Sequence, residues 1–288
     1  MAVETYVRES SGWRSLRTGS LLLPPIPGGS GILPTLSNTG PDQSVSLSDF
    51  FGDYSITDAG TRLSGLHIRG SLNVNAADVA VSDCIVDGSI NLNQDGSVGT
   101  PPAGQTFTRV RASSAYNAYG FQDLTFDLCQ FTAEGSGEYN STEMQMRSYT
   151  SNQPGQTAKN LTVRNSYFGA PPHNVTGSHL QAIHLMGVQG ALIQNNNMEY
   201  IAPDSDTKVW VTAVLYCENY DSECQDITID SNRFRGGGYY CLNFHGSRYV
   251  ITDNDIDPDY AGGFKYPSSD LTIAHQAGNT CGSTSVTF

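Results

Sequence analysis

The chain has 288 residues; only 15% are charged and 38% apolar, with 30 Gly, 13 Pro, 15 Tyr and 11 Phe. A helical bundle would need far more Glu, Lys, Leu and Ala, and a disordered chain far fewer apolar and aromatic residues, so a turn-rich β protein is what remains. The formal net charge is −13 with only three Lys, so no basic surface can track phosphates and no nucleic-acid partner is expected.

Residues 1–22 read as an N-terminal hairpin, with Tyr6-Val7-Arg8 and Trp13-Arg14-Ser15-Leu16 flanking the turn signal Ser10-Ser11-Gly12. A lone hairpin is marginal in water, so this one is expected to pair with something else. The first 17 residues carry Arg8, Arg14 and Arg17 against Glu4 and Glu9, a net +1, which leaves −14 for the remainder. Leu21-Leu22-Leu23 runs straight into Pro24-Pro25. The start therefore reads as lacking a signal peptide, which implies synthesis in a cytoplasm without the Sec route. No stretch approaches the roughly 20 apolar residues of a membrane span. Residues 23–60 read as a Pro/Gly-rich linker and cap, with a short helical turn around Ser48-Asp49-Phe50-Phe51.

From residue 61 to 288 the chain repeats. The unit is apolar-x-apolar-x-x-(Asn or small)-x-apolar, as in Val79 to Val86, Leu124 to Phe131, Leu161 to Phe168, Ala191 to Met198, Ile227 to Phe234 and Tyr249 to Ile256. A weaker copy fits Gln105 to Ala112, and Leu271 to Gln276 is a fading last copy. The sixth positions are 84, 110, 129, 166, 196, 232, 254 and 276, and the recurrent spacing of 22 describes a bare solenoid coil. A further alternating stretch accompanies each copy: Leu72-Asn-Val74, Ile90-Asn-Leu92, Met144-Gln-Met146, Ile183-His-Leu185, Leu242-Asn-Phe244 and Phe264-Lys-Tyr266, with Val214-Leu-Tyr216 a poorer fit. Three short strands per coil describe a parallel β-helix of about seven to eight coils, stacked at ~4.8 Å. Asn196, Asn232 and Asn254 are expected to form a column at the bend. Asp127 should meet Arg164 across coils, and Arg233 should meet Asp255.

This pattern resembles the right-handed parallel β-helix of the pectate-lyase-like superfamily over residues 61–280. The resemblance implies an all-β fold and an asparagine ladder at the bend, and it implies little about activity, because many functions share that scaffold.

Insertions fall at one corner, at 132–143, 169–182, 199–213, 235–241 and 257–263. They carry Tyr139, Tyr200, Trp210, Tyr239, Tyr240 and Tyr260 beside carboxylates that include Asp204 and Asp206, with Glu134, Glu138, Asp257 and Asp259 nearby. Rigid aromatic faces next to carboxylates suit a glycan, which offers C–H faces and hydroxyls; packing of the loops on one another or on a neighbouring subunit is the competing reading.

No catalytic residues, cofactor or metal site are assigned. Asp230 and Asp127 lie three coils apart, roughly 14 Å, too far for a glycosidase pair. The polygalacturonase and pectate lyase signatures are absent, Phe244-His245-Gly246 being the nearest fragment. Asn91-x-Asn93-x-Asp95-Gly96 echoes a calcium loop without its distal Glu. Of the six His, His184 falls between inward residues and faces out. Cys217 and Cys224 are the one near pair, and either a clip or two free thiols fits their spacing.

A slightly basic hairpin, a linker and an acidic β-helix together resemble a bacteriophage minor tail protein or small tailspike, and the Tyr-Val-Arg…Gly-Trp-Arg stretch looks like docking segments of such proteins. The resemblance implies a virion protein, usually a homotrimer. Tyr6, Val7, Arg8, Trp13, Arg14 and Leu16 would dock to other tail proteins, and the β-helix would present its corner to host cell-surface polysaccharide. A glycan-degrading hydrolase or lyase on the same fold, and a purely architectural tail component, are the alternatives.

Overall fold

The three alternating stretches of each repeat become three columns of parallel strands in the computed structural model of the chain. It describes residues 5–9, 12–16, 32–94, 101–132, 144–148, 156–169, 180–201, 211–258, 264–266 and 268–288. Two compact units are present, Met1–Ile32 and Leu33–Phe288.

The first unit contains the expected hairpin. Strands Thr5–Glu9 and Gly12–Leu16 pair antiparallel, with Tyr6 opposite Ser15, Val7 opposite Arg14 and Arg8 opposite Trp13.

The second unit is an all-β parallel β-helix. In the first column, Val81, Phe107, Phe126, Val163, Ile193, Ile229 and Ile251 follow one another from level to level. Each points inward and is at most 1% exposed. Every such side chain contributes ~1.5–3 kcal/mol by leaving water. Between them Thr106, Thr125, Thr162 and Thr228 face outward, as parity requires. Phe107 stacks on Phe126 at 4.9 Å, and Phe131 on Phe168 at 5.1 Å in the second column.

The bend between the first two columns depends on two adjacent positions. The residue before each sixth position is left-handed: Asp83, Arg109, Leu128, Asn165, Asn195, Ser231 and Asp253 all have φ between 49° and 56° or at those limits. That conformation costs a non-glycine residue ~1–2 kcal/mol. The sixth position offsets the cost with hydrogen bonds. Asn232 Nδ2 donates to Ile193 O at 2.8 Å and to Asn254 Oδ1 at 3.0 Å, and its Oδ1 accepts from the backbone N and the Nδ2 of Asn196, both at 3.0 Å. Asn196 and Asn254 repeat the pattern, and Ser166 N donates to Asn196 Oδ1 at the upper end. This is the expected asparagine ladder, but its lowest rung is Asn279, which accepts from Asn254 N at 3.1 Å. The sequence repeat puts Gln276 at this rung; the strand instead pairs two residues further on, Tyr249 with Ile273, and the irregularity after Tyr249 adds one more, so the rung falls three residues later.

Two other expectations change. Ser48–Phe50 is not a helical turn but a strand paired with Leu66–Ile68, and Tyr54–Ile56 pairs with Leu72–Val74, so the β-helix begins before residue 61. Counting down the second column from Ser48–Phe50 to Thr280–Cys281, the levels also exceed seven to eight. The segment from Leu33 to Leu47 is neither free linker nor cap. It is a strap laid along the outside of the bend: Asn197 Nδ2 donates to Pro34 O at 2.9 Å, Gly40 N to Leu128 O at 2.8 Å, and Asp42 N to Asp83 Oδ1 at 3.1 Å. Gly40 has φ +74°, which favours glycine, and a Cβ there would press on the Gln130 side chain, 2.9 Å from its Oε1.

At the far end Val286 and Phe288 fold back onto the core, with the Phe288 ring 5.7 Å from Phe264 and 5.9 Å from Phe244. All six Cys are free thiols. Burial pushes the Cys217 thiol well up and that of Cys224 to about 11, so both stay protonated. No helix among the described residues is long and apolar enough to cross a membrane.

Candidate functional site

The outward residues of the third column concentrate chemistry. Strands Met144–Arg147, Ile183–Met186, Leu215–Glu218 and Leu242–Phe244 stack in register, which places Gln145, His184, Tyr216 and Asn243 in one outward column. The bridge between Leu242 and Lys265 carries that column on to Tyr266. The neighbouring outward column holds Glu218 and His245.

These side chains form a continuous array. The His184 ring lies flat on Tyr216, with centroids 4.7 Å apart and 4° between planes. Tyr216 is 6.2 Å from His245, His245 is 5.5 Å from Tyr266, and Tyr240 meets Tyr266 edge-on at 5.2 Å. Polar braces fix the rings: His184 Nε2 is 3.0 Å from Glu218 Oε2, and His245 Nδ1 is 3.0 Å from Asp270 Oδ1. Asn219 Nδ2 donates to the other Asp270 oxygen at 2.9 Å. Burial, with help from the Glu218 charge, pushes the Tyr216 phenol up to about 12, so it stays a neutral hydroxyl. The Ser268 hydroxyl, and then His245, hold the Asp270 carboxyl below the usual range.

Ser268, His245 and Asp270 are not arranged to activate a nucleophile. That task needs the hydroxyl on one ring nitrogen and the carboxylate on the other. Here Ser268 Oγ, at 3.2 Å, and Asp270 share Nδ1, and the Ser268 hydroxyl donates to Asp270. The three groups brace one another.

Of the residues singled out in the sequence, Tyr239 is 54% exposed and Tyr240 joins the array. Tyr200 is a correction: it is fully buried in the core. The strand Asn197–Tyr200 continues through the expected start of the loop, and parity turns Tyr200 inward with Met198. Asp257 is exposed and ion-paired with Arg235. Tyr139, Trp210, Tyr260, Asp204 and Asp206, with Glu134, Glu138 and Asp259, lie outside the described residues. Tyr6, Val7 and Arg8 are on one hairpin strand, and Trp13, Arg14 and Leu16 on the other.

Tyr216 was missed as an outward residue. Aligning the repeat on Val214-Leu-Tyr216 turns it inward, whereas the observed register is Leu215-Tyr216-Cys217; a slip of one residue exchanges the faces. The polar Glu218 that follows Cys217 was the available signal. Tyr266, aligned as inward with Phe264, is likewise exposed.

The outward faces of the first and second columns are polar and largely self-paired. Arg164 donates to Asp127 at 2.8 Å and Arg233 lies 3.8 Å from Asp255, as expected. Asp87 is held by His67 at 2.7 Å and Arg69 at 3.6 Å. Beside Asp87 is a groove of about 240 Å³ lined by Ile85, Val86, Arg111, Ala112, Ser113 and Thr132. Among the described residues no group of His, Cys, Asp and Glu could hold a metal ion. The Asn91 and Asn93 amides donate to Asn73 Oδ1 and Gly120 O.

No protein-family model matches the chain, and no curated protein does. Among solved structures, PfbA, a surface adhesin of Streptococcus pneumoniae, is similar at 11% identity over 82% of this chain and 85% of that one, with a TM-score of 0.25. So loose a superposition carries no argument, and the fold rests on the strand register itself.

Proposed function

We propose that this β-helix binds host cell-surface polysaccharide on its third-strand face, as a phage minor tail protein or small tailspike that docks to the tail through residues 1–22. The observation that carries the glycan reading is the braced array of His184, Tyr216, His245, Tyr266 and Tyr240 on parallel strands. Aromatic faces stack on the C–H faces of sugars, and neighbouring carboxylates and amides take the hydroxyls. Rigid strands hold the rings ready, so little side-chain entropy is lost on binding. The tail reading is supported by the basic hairpin joined to an acidic β-helix and by the resemblance of its Tyr-Val-Arg and Gly-Trp-Arg stretches; in that setting the protein is a homotrimer of the virion.

Titration of the intact protein with envelope polysaccharide fragments tests both parts. The double variant Tyr216→Ala, Tyr266→Ala is expected to bind at least about tenfold more weakly, the loss of ~1.4 kcal/mol that two ring contacts supply. A chain lacking residues 1–22 should bind glycan normally yet be missing from assembled particles. Unchanged affinity in the double variant would sink the glycan reading, and normal incorporation of the shortened chain would sink the docking one.

A further inference from the structure

Asn243 stands apart among the buried amides of the described residues: Asn91 Oδ1, Gln105 Oε1 and Asn197 Oδ1 also lack a hydrogen-bond partner, but the nitrogens of those three side chains donate to neighbours. Asn243 is 7% exposed, its Oδ1 is buried without a hydrogen-bond partner, and its side chain makes no hydrogen bond to any described residue. The ladder amides Asn196, Asn232 and Asn254, equally buried, are fully bonded. A buried acceptor left unmade costs stability, and a buried polar group without a partner calls for a physical reason.

Its position supplies the reason. Asn243 lies between Tyr216 and Tyr266 in the outward column, with His245 at the next outward position of its own strand, and the His245 ring is 6.2 Å from that of Tyr216 and 5.5 Å from that of Tyr266. At ~4.8 Å per level the two tyrosines are about 10 Å apart along the column, with the amide at the level between them. The ionised groups braced beside it are the carboxylates of Glu218 and Asp270. Lys265 is engaged elsewhere, its Nζ donating to Thr287 O at 3.2 Å.

We infer that Asn243 is the specificity-determining residue of the glycan face, and that it takes two adjacent ring hydroxyls of a neutral pyranose standing against Tyr216 and Tyr266. A carboxamide sets an acceptor and a donor side by side in one plane, and a vicinal diol can donate to the first and accept from the second. An apolar ligand would leave both amide groups unpaired. An acidic sugar would meet Glu218 and Asp270, in a chain of net charge −13. The inference rests on the glycan reading above and adds the class of sugar and the residue that selects it.

The test is calorimetric titration of the full chain with neutral 1→4-linked gluco-, manno- and xylo-hexaoses, with their 2,3-di-O-methylated forms, and with an oligogalacturonate. At least one neutral hexaose is expected to bind. Methylation of its diol and Asn243→Leu should each weaken binding at least tenfold, and the two together little more than either alone. Thermal unfolding separates this role from a structural one: Asn243→Leu should melt at or above the wild-type temperature, because it removes an unpaired buried amide. A lower melting temperature would make the amide structural and overturn the inference. So would full affinity in Asn243→Leu, or a preference for the oligogalacturonate. In those cases loss of binding in Tyr216→Ala would leave the glycan reading standing. Binding of none of these sugars by the wild type would overturn the neutral-sugar inference, and if envelope polysaccharide also fails to bind, the glycan reading goes with it.

Discussion

Asn232 connects three levels of the β-helix through one side chain, so its removal has a calculable cost. Asn232→Ala leaves Ile193 O without the Asn232 donor, Asn196 N without its acceptor, and one of the two Asn196 Nδ2 protons unpaired, the other still reaching Val163 O, all buried. At ~1–3 kcal/mol per orphaned group the expected loss is about 3 kcal/mol or more, measured by denaturant unfolding. Thr228→Ala, outward on the neighbouring strand, should stay within about 0.5 kcal/mol. A second residue-scale effect is acid lability. Asp270 is held below its usual 3.8 by Ser268 and then His245, so its contribution is present above that value and fades as pH falls through the lower folded one. Asp270→Asn should be less stable than wild type at neutral pH, with the difference shrinking below about pH 3.8, as read from unfolding midpoints across pH. A constant difference down to pH 2 would show that the ionised form is not what matters. The ladder was legible at Asn196, Asn232 and Asn254 because a polar residue recurs where apolar ones flank it. Asn279 was hidden because the last first-column strand pairs two residues later than its apolar pattern suggests and adds one more at the irregularity after Tyr249.

At the scale of the strand and its bend, the position before each ladder residue is left-handed whatever its identity. Leu128, Arg109 and Ser231 adopt it alongside Asp and Asn. Ser231 is exposed at φ 56°. Ser231→Gly should therefore stabilise the fold by about 0.5–1 kcal/mol, the relief of strain exceeding the added freedom of the unfolded chain. Thr228→Gly, in an extended strand, should destabilise it by a similar amount. Equal destabilisation by both glycines would mean that the bend is not strained. First-column strands were readable because their inward residues are Val, Ile or Phe at each level from Val81 to Ile251. The third column was harder: Cys217 is its inward residue and the amphipathic Tyr216 its outward one, so hydropathy alone favoured the wrong register. Glu199 and Tyr200 were assigned to a loop for a related reason: turn-rich sequence follows them, while the strand runs on to pair with Arg235 and Gly236.

For the molecule as a whole, most contacts join one level to the next, as in any solenoid. The strap is the exception, since Pro34 and Asn197 are 163 residues apart in sequence. Levels can therefore be laid down one by one as the chain emerges, but the strap cannot finish settling until the level containing Asn197 exists. Closing so long a loop is a late event on entropic grounds. The strap also changes how the β-helix would respond to tension. A pull applied at residue 33 acts first on the contact with Asn197, then on those at Leu128 and Asp83, one at a time. It thus behaves as a sacrificial tether, giving length at low force before any core side chain is drawn into water.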